Sequence, residues 1–242
     1  MIWQSVYSLT VTYLGIWKPF YFPSPLDVFR SLWELIRDNI LLIAVLASMK
    51  RLLLGYSISV VSGVLLGLIV VRYKYLDENF SSMILGLQTL PSIVWLPFAL
   101  LWYGPNESAI IFVIAIGSTF AITLATLGGI KNVNPIYVRA AKTMGAKGIK
   151  AYFNVVIPAS LPSLVSGLKQ GWAFAWRGLM AGEMLSATKG LGQVLMAGRE
   201  WGGISQVVSV MLVIVVLGLT VDKLIFSRLE ASIRYKWGLD RA

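Results

Sequence analysis

Neither cysteine nor histidine occurs in this chain of 242 residues. The first absence excludes disulfides and thiol chemistry and leaves the redox compartment open. The second removes the commonest general base at neutral pH and the commonest metal ligand. Charge is scarce too: 13% of the residues are charged, about half of the ~25% found in soluble domains. With 11 acidic residues and no histidine or cysteine, no catalytic constellation assembles, which disfavours a membrane enzyme. The sequence contains no G-x-x-x-x-G-K-[ST] run, so it has no phosphate-cradling loop of its own. The opening residues lack a basic stretch, and they read as a retained span rather than a cleaved signal.

Apolar residues are what the chain has in excess: 57% are hydrophobic and the mean hydropathy is +0.75. Such a chain is an integral membrane protein, expected to cross the cell membrane several times. No linker or low-complexity tract divides it, so residues 1–242 form one domain. The net charge of +10 does not point to nucleic acid, because the cations are dispersed around apolar spans, as in cytoplasmic loops.

A membrane-crossing helix takes about 20 predominantly apolar residues, and six segments qualify: 2–17, 52–71, 80–102, 109–130, 164–184 and 207–226. The expected fold is therefore all-α, a bundle of about six transmembrane helices. Segment 40–51, interrupted by Lys50 and Arg51, is the outer part of the second helix. Loop charge sets the orientation. One side collects Arg72, Lys74, Lys131, Arg139, Lys142, Lys147, Lys150, Lys223, Arg228, Arg234, Lys236 and Arg241; the other holds Lys18, Arg30, Arg37, Lys189 and Arg199, with Lys50 and Arg51 added if they count as loop. The richer side is cytoplasmic.

Small residues recur every fourth position in two spans: Gly55, Ser59, Gly63, Gly67, and Gly117, Ala121, Ala125, Gly129. Such stripes let helices approach closely, within one bundle or between two copies. Pro91 and Pro97 fall inside the third span, where they predict either a structural kink or a bend lining a pathway. Residues 22–39, FPSPLDVFRSLWELIRDN, contain an amphipathic run suited to the outer surface.

Between two strongly apolar spans lies a basic, helix-like stretch, YVRAAKTMGAKGIKAYFNVVIPASLP, at 137–162. Asn134–Pro135 reads as a helix start. Tyr137, Ala140, Ala141 and Met144 then share one face, with Arg139, Lys142 and Lys147 elsewhere. Gly145 stands where a helix end favours a left-handed residue. A second helical stretch follows, and Pro158 and Pro162 stop or bend the chain before it re-enters the membrane. This amphipathic hairpin either packs on its own bundle or presents a knob that docks into a groove.

The run Ala140-Ala141-x-x-x-Gly145, followed by Ile157-Pro158-x-x-x-Pro162, resembles the EAA loop of ABC-importer permeases. FPSPLDVF, LPSIVWLPFALLWYG and GWAFAWRGLMAGEMLSATKGLGQVL extend the likeness over residues 22–238, toward the nitrate/sulfonate/taurine importer branch. Arg139 stands where that family usually has glutamate. The resemblance implies a cytoplasmic coupling loop at about 131–162, in which Tyr137, Arg139, Ala140, Ala141, Met144, Gly145 and Pro158 contact ABC ATPase subunits. It also implies an external substrate-binding protein and a second permease copy, a homodimer. This chain would bind no cofactor, ATP and Mg being held by the partner ATPase. The cargo expected is a small solute, an anion such as a sulfonate, taurine or nitrate; the alternative is an ATP-independent channel or secondary transporter. Four residues of the fifth span are candidates for the translocation pathway: Trp172, Trp176, Arg177 and Glu183. Trp172 and Trp176 share a face that lines either a pathway or the core. Arg177 either faces a cavity, where guanidinium suits an oxyanion, or is structural, and it stands six residues from Glu183, on another helix face.

Overall fold

The computed structural model describes residues 2–18, 21–146, 148–186 and 188–236, and all their side chains except those of Ile2, Thr12, Lys74, Glu78 and Arg234. Lys147 and Arg241, counted above among the loop cations, lie outside the described residues. Every regular element among the described residues is helical. They are α1 (Ile2–Tyr7, continued as a π-helical stretch over Ser8–Tyr13), α2 (Pro25–Arg37), α3 (Ile40–Arg72), α4 (Lys74–Gln88), α5 (Leu96–Tyr103) and α6 (Glu107–Lys131), followed by α7 (Pro135–Thr143), α8 (Ile149–Ala151), α9 (Ile157–Leu185), α10 (Leu191–Glu200), α11 (Ile204–Val221) and α12 (Ser227–Lys236).

Among the described residues, four continuous helical segments are long and apolar enough to cross a membrane: Ile40–Arg72, Glu107–Lys131, Ile149–Leu185 and Ile204–Ile233. A further apolar helix pair is bent at a break, the geometry of a broken crossing or of a re-entrant loop. It runs through Tyr75–Gln88 and Ser92–Tyr103, which meet at 98°. Residues 40–51 do extend the second expected span outward, giving α3 its 33 residues. The first expected span, 2–17, does not form one. Its helix ends at Tyr13, and Gly15 takes a positive φ of +58° two residues later. The helix described there, residues 2–13, is shorter than the ~20 residues a crossing takes. Gln4, Ser5, Ser8, Thr10 and Thr12 explain why this stretch is a weak span.

The bundle is built around α6, which packs along α3 on one side and α9 on the other. Glycine makes both contacts close. A Cβ on Gly55, Gly63 or Gly67 of α3 would fall 2.6–2.8 Å from Ile114, Ile122 or Thr126 of α6. On the other side, a Cβ on Gly167 of α9 would meet Ala125 of α6 at 1.9 Å. The small-residue stripes are thus spent on packing within one bundle. Pro91 breaks the third span, whereas Pro97 sits in the first turn of α5, where proline costs nothing. At the hairpin's exit, Pro158 and Pro162 do not stop the chain. A π-helical stretch over Tyr152–Val156 precedes Pro158 and helix continues through Pro162 to Leu185; the wider turn relieves the clash a proline ring makes with the carbonyl four residues back.

Ion pairs gather at the two ends of the bundle. Lys50 and Arg51 meet Glu107 at one end, and Lys131 meets Asp77 at the other. This places 50, 107 and the described residues of 183–203 at the end opposite 72–79 and the described residues of 131–150, the same division into two sides that loop charge predicts. On the first face α10 packs on α9 and α11, and α2 packs on α11. Helix α2 is capped by Ser24, whose Oγ accepts from the Asp27 N–H at 3.2 Å, and it is tied to α11 where Ser209 Oγ donates to the Val28 carbonyl at 2.8 Å.

Candidate functional site

The basic hairpin between α6 and α9 is shaped by its own backbone. Asn134 Oδ1 accepts from the Ile136 N–H at 3.0 Å, and Pro135 opens α7. At the other end Ala146 N–H donates to the Ala141 carbonyl at 2.9 Å and Gly145 N–H to Lys142 at 3.0 Å. These are the paired bonds of a Schellman cap, and Gly145 takes the φ of +88° that such a cap requires. The chain then reverses through Gly148, also at positive φ, into α8. The expected apolar face divides. Ala141 turns inward and is 2% exposed, while Tyr137, Ala140 and Met144 face outward with Ile136. Met144 is 81% exposed, and Ile149 and Phe153 continue the apolar surface past the turn. Arg139 is exposed on α7, and Pro158 lies at the base of the hairpin, in the first turn of α9.

A second feature lies where the third span breaks. A groove of about 340 Å³ runs between residues 88–93 and one face of α9. Phe174, Arg177 and Ala181 supply the α9 side, and Gln88, Thr89 and Ser92 supply polar groups opposite. Ser92 lies close against Gly117 of α6, where a Cβ would come 2.7 Å from its hydroxyl. Arg177 is exposed, and its guanidinium carbon sits 5.1 Å from the centre of the Phe174 ring.

The third feature is a charge cluster at the outer end of the bundle. Glu183 of α9 is 0% exposed. Its carboxylate accepts from Ser48 Oγ at 2.7 Å, from Arg51 Nη1 at 2.8 Å and from the Gly192 N–H at 3.0 Å. Arg51 also donates to the Lys189 carbonyl at 2.7 Å and pairs with Glu107 at 3.0 Å. Ser48 Oγ in turn accepts from the Leu191 N–H at 2.9 Å. The backbone crosses directly over the carboxylate, since a Cβ on Gly190 would fall 2.3 Å from it and one on Gly192 2.6 Å from Glu183 Cβ. A buried carboxylate is tolerable when paired and fully hydrogen-bonded, and this one joins α3, α6, α9 and the start of α10.

The four candidate pathway residues therefore separate. Arg177 lines the groove. Glu183 is enclosed in the outer cluster. Trp172 and Trp176 are buried in the core, their rings 6.2 Å apart and edge to face, with Tyr56 and Phe226 against Trp172 at 5.1 and 6.1 Å. Sequence reasoning missed Arg51, Ser48, Glu107, Gly190 and Gly192. The signal was present in Arg51, an ionisable residue inside an apolar helix.

Residues 59–235 match the family described as "Binding-protein-dependent transport system inner membrane component". A putative ABC transporter permease protein of Methanocaldococcus jannaschii is 35% identical over 177 residues, which span 73% of this chain and 66% of that protein. The putative aliphatic sulfonates transport permease protein SsuC of Escherichia coli is 32% identical over 200 residues, 83% of this chain and 76% of that protein. Among solved structures, an amino acid ABC transporter crystallised with histidines shares the fold at a TM-score of 0.69 and 20% identity, covering 83% of this chain and 97% of that one. An all-α bundle, several membrane-crossing helices and these matches converge: the chain belongs to the binding-protein-dependent transport system inner membrane components, the multi-pass permease subunits of ABC importers.

Proposed function

We propose that this permease imports a small anion, handed over by an external binding protein, and that its cytoplasmic hairpin is the element through which ABC ATPase subunits drive it. The cargo class rests on the likeness to a sulfonate permease. The observation that carries the coupling role is the apolar tip. Tyr137, Ala140, Met144, Ile149 and Phe153 stand exposed on a rigidly capped hairpin at the end of the molecule rich in loop cations. Apolar surface of this kind, rimmed by Arg139 and Lys142, suits a protein interface. The chain carries no phosphate-binding loop of its own, so ATP and Mg belong to the partner, which hydrolyses the nucleotide. Two copies of the permease with two ATPases complete the assembly. ATP favours one arrangement of the hairpins and the loaded binding protein favours the matching outward state of the bundle, which couples hydrolysis to transport.

The test is capture of the tagged chain in mild detergent from its host, with identification of what accompanies it. An ATPase bearing a phosphate-binding loop is expected, and Gly145→Val should lose it while still inserting in the membrane, because a β-branched residue is strained at φ +88°. A chain recovered alone, moving solute in reconstituted vesicles without ATP, would instead make it a channel.

A further inference from the structure

We infer that the groove at the break in the third span is a charge-selective anion site, with the Arg177 guanidinium as its cation. The inference deepens the anion-import reading and rests on it.

Arg177 lies in a membrane-crossing helix, eight residues before the end of α9 at Leu185, or about 12 Å along the axis. That depth takes its charged head away from the aqueous boundary. Charged side chains at such depth face protein or a water-filled cavity, because lipid penalises them. The ion pairs of the described residues involve Arg37, Lys50, Arg51, Lys131 and Lys169, each with a carboxylate, and none of them involves Arg177. No acidic side chain occurs among the described residues that line the groove. The guanidinium carbon lies 5.1 Å from the centre of the Phe174 ring, within cation–π range.

The broken backbone makes an independent case. Thr89, Leu90, Pro91 and Ile93 are exposed in the bundle. An irregular stretch at membrane depth is tolerated only against protein or water, since its freed backbone groups need partners. A cation and a polar break thus face the same space. Gln88, Thr89 and Ser92 add an amide and two hydroxyls across from the guanidinium. Guanidinium presents a planar fork of donors that matches a trigonal or tetrahedral oxyanion. About 340 Å³ admits nitrate or a short alkyl sulfonate together with water. The ligand class is a small monovalent oxyanion, bound loosely enough to pass on.

The absence of cysteine from the sequence gives a direct test. Thr89→Cys puts a lone thiol in the groove, and Trp201→Cys puts a reference thiol at an outer position that is 88% exposed. Membranes from cells producing each variant are treated with the anionic 2-sulfonatoethyl and the cationic trimethylammonioethyl methanethiosulfonates, and labelling rates are compared. At position 89 the anionic-to-cationic rate ratio should exceed that of the reference thiol by about fivefold or more, the scale of one nearby charge in water-like surroundings. Arg177→Gln in the Thr89→Cys background should abolish that excess, and Arg177→Lys should retain most of it. Added sodium nitrate or ethanesulfonate should slow the anionic reagent only where the cation is present. A ratio indifferent to Arg177→Gln would overturn the site, and so would a thiol at position 89 that neither reagent reaches while position 201 reacts. Either failure leaves the capture of an ATPase untouched, so the fate of the groove and that of the importer reading are measured separately.

Discussion

Glu183 shows how one buried charge dictates its surroundings. Its carboxylate takes donors from Ser48, Arg51 and Gly192, and the absence of side chains at Gly190 and Gly192 lets the chain close over it. Removing one partner of such a pair leaves the other charge buried and uncompensated, at a cost of about 3–5 kcal/mol. Glu183→Ala and Arg51→Met should each lower the unfolding midpoint of the detergent-solubilised protein strongly. The double variant should be less destabilised than the sum of the two, because the stranded charge is gone. Strict additivity would show that the two residues are energetically independent. Removing the Cβ-free crossing is a harsher change: Gly190→Ala places a methyl group within the carboxylate's own volume, so it should cost at least as much as losing the ion pair.

Helix pairing in this bundle is governed by how near two backbones can come. Lipid is as apolar as the side chains, so close packing rather than water exclusion holds the helices together. Gly167 and Gly128 separate that effect from backbone preference. At Gly167 of α9 a methyl group would lie 1.9 Å from Ala125 Cβ, whereas at Gly128 of α6 it would meet nothing within 4 Å. Gly167→Ala must push α9 from α6 and should destabilise by about 1–3 kcal/mol, the usual penalty of overpacking. Gly128→Ala should be neutral or slightly stabilising, as alanine is the better helix former by up to about 1 kcal/mol. Thermal unfolding of both variants in the same detergent decides it, and equal midpoints would contradict the close approach.

The elements readable in the sequence were those with local causes. Hydropathy located the long helices, the four-residue stripes marked the close-packing faces of α3 and α6, and Asn134, Pro135 and Gly145 fixed both ends of α7. Long-range chemistry was not readable. Arg51 and Glu183 are 132 positions apart, and no period in the sequence joins them. Pro91 announced a bend, but the 98° angle depends on Ser92 fitting against Gly117 and on α9 passing beside it. Position on a helix face also divided residues that looked alike: Trp176 and Arg177 are neighbours in sequence, yet one is packed in the core and the other lines the groove.

At the scale of the whole molecule, charge placement predicts which end faces the cytoplasm. Arg72, Lys131, Arg139, Lys142 and Lys150 cluster at the end where Lys131 meets Asp77, while Glu183 and its partners close the opposite end. Cationic loops resist translocation, so the hairpin end is expected to stay inside. The proposed coupling role requires the same orientation, because a hairpin that contacts an ATPase has to meet it where ATP is found. With no native thiol in the sequence, single cysteines at Met144 and Trp201 report on the two faces from positions that are 81% and 88% exposed. In right-side-out vesicles an impermeant maleimide should label Trp201→Cys at once and Met144→Cys only after the membrane is opened. The reverse pattern would put the hairpin outside, leaving the charge distribution without its explanation and the coupling role without a partner. Labelling of both positions in sealed vesicles would mean that the chain inserts in two orientations, and the loop cations would then be too weakly biased to direct it.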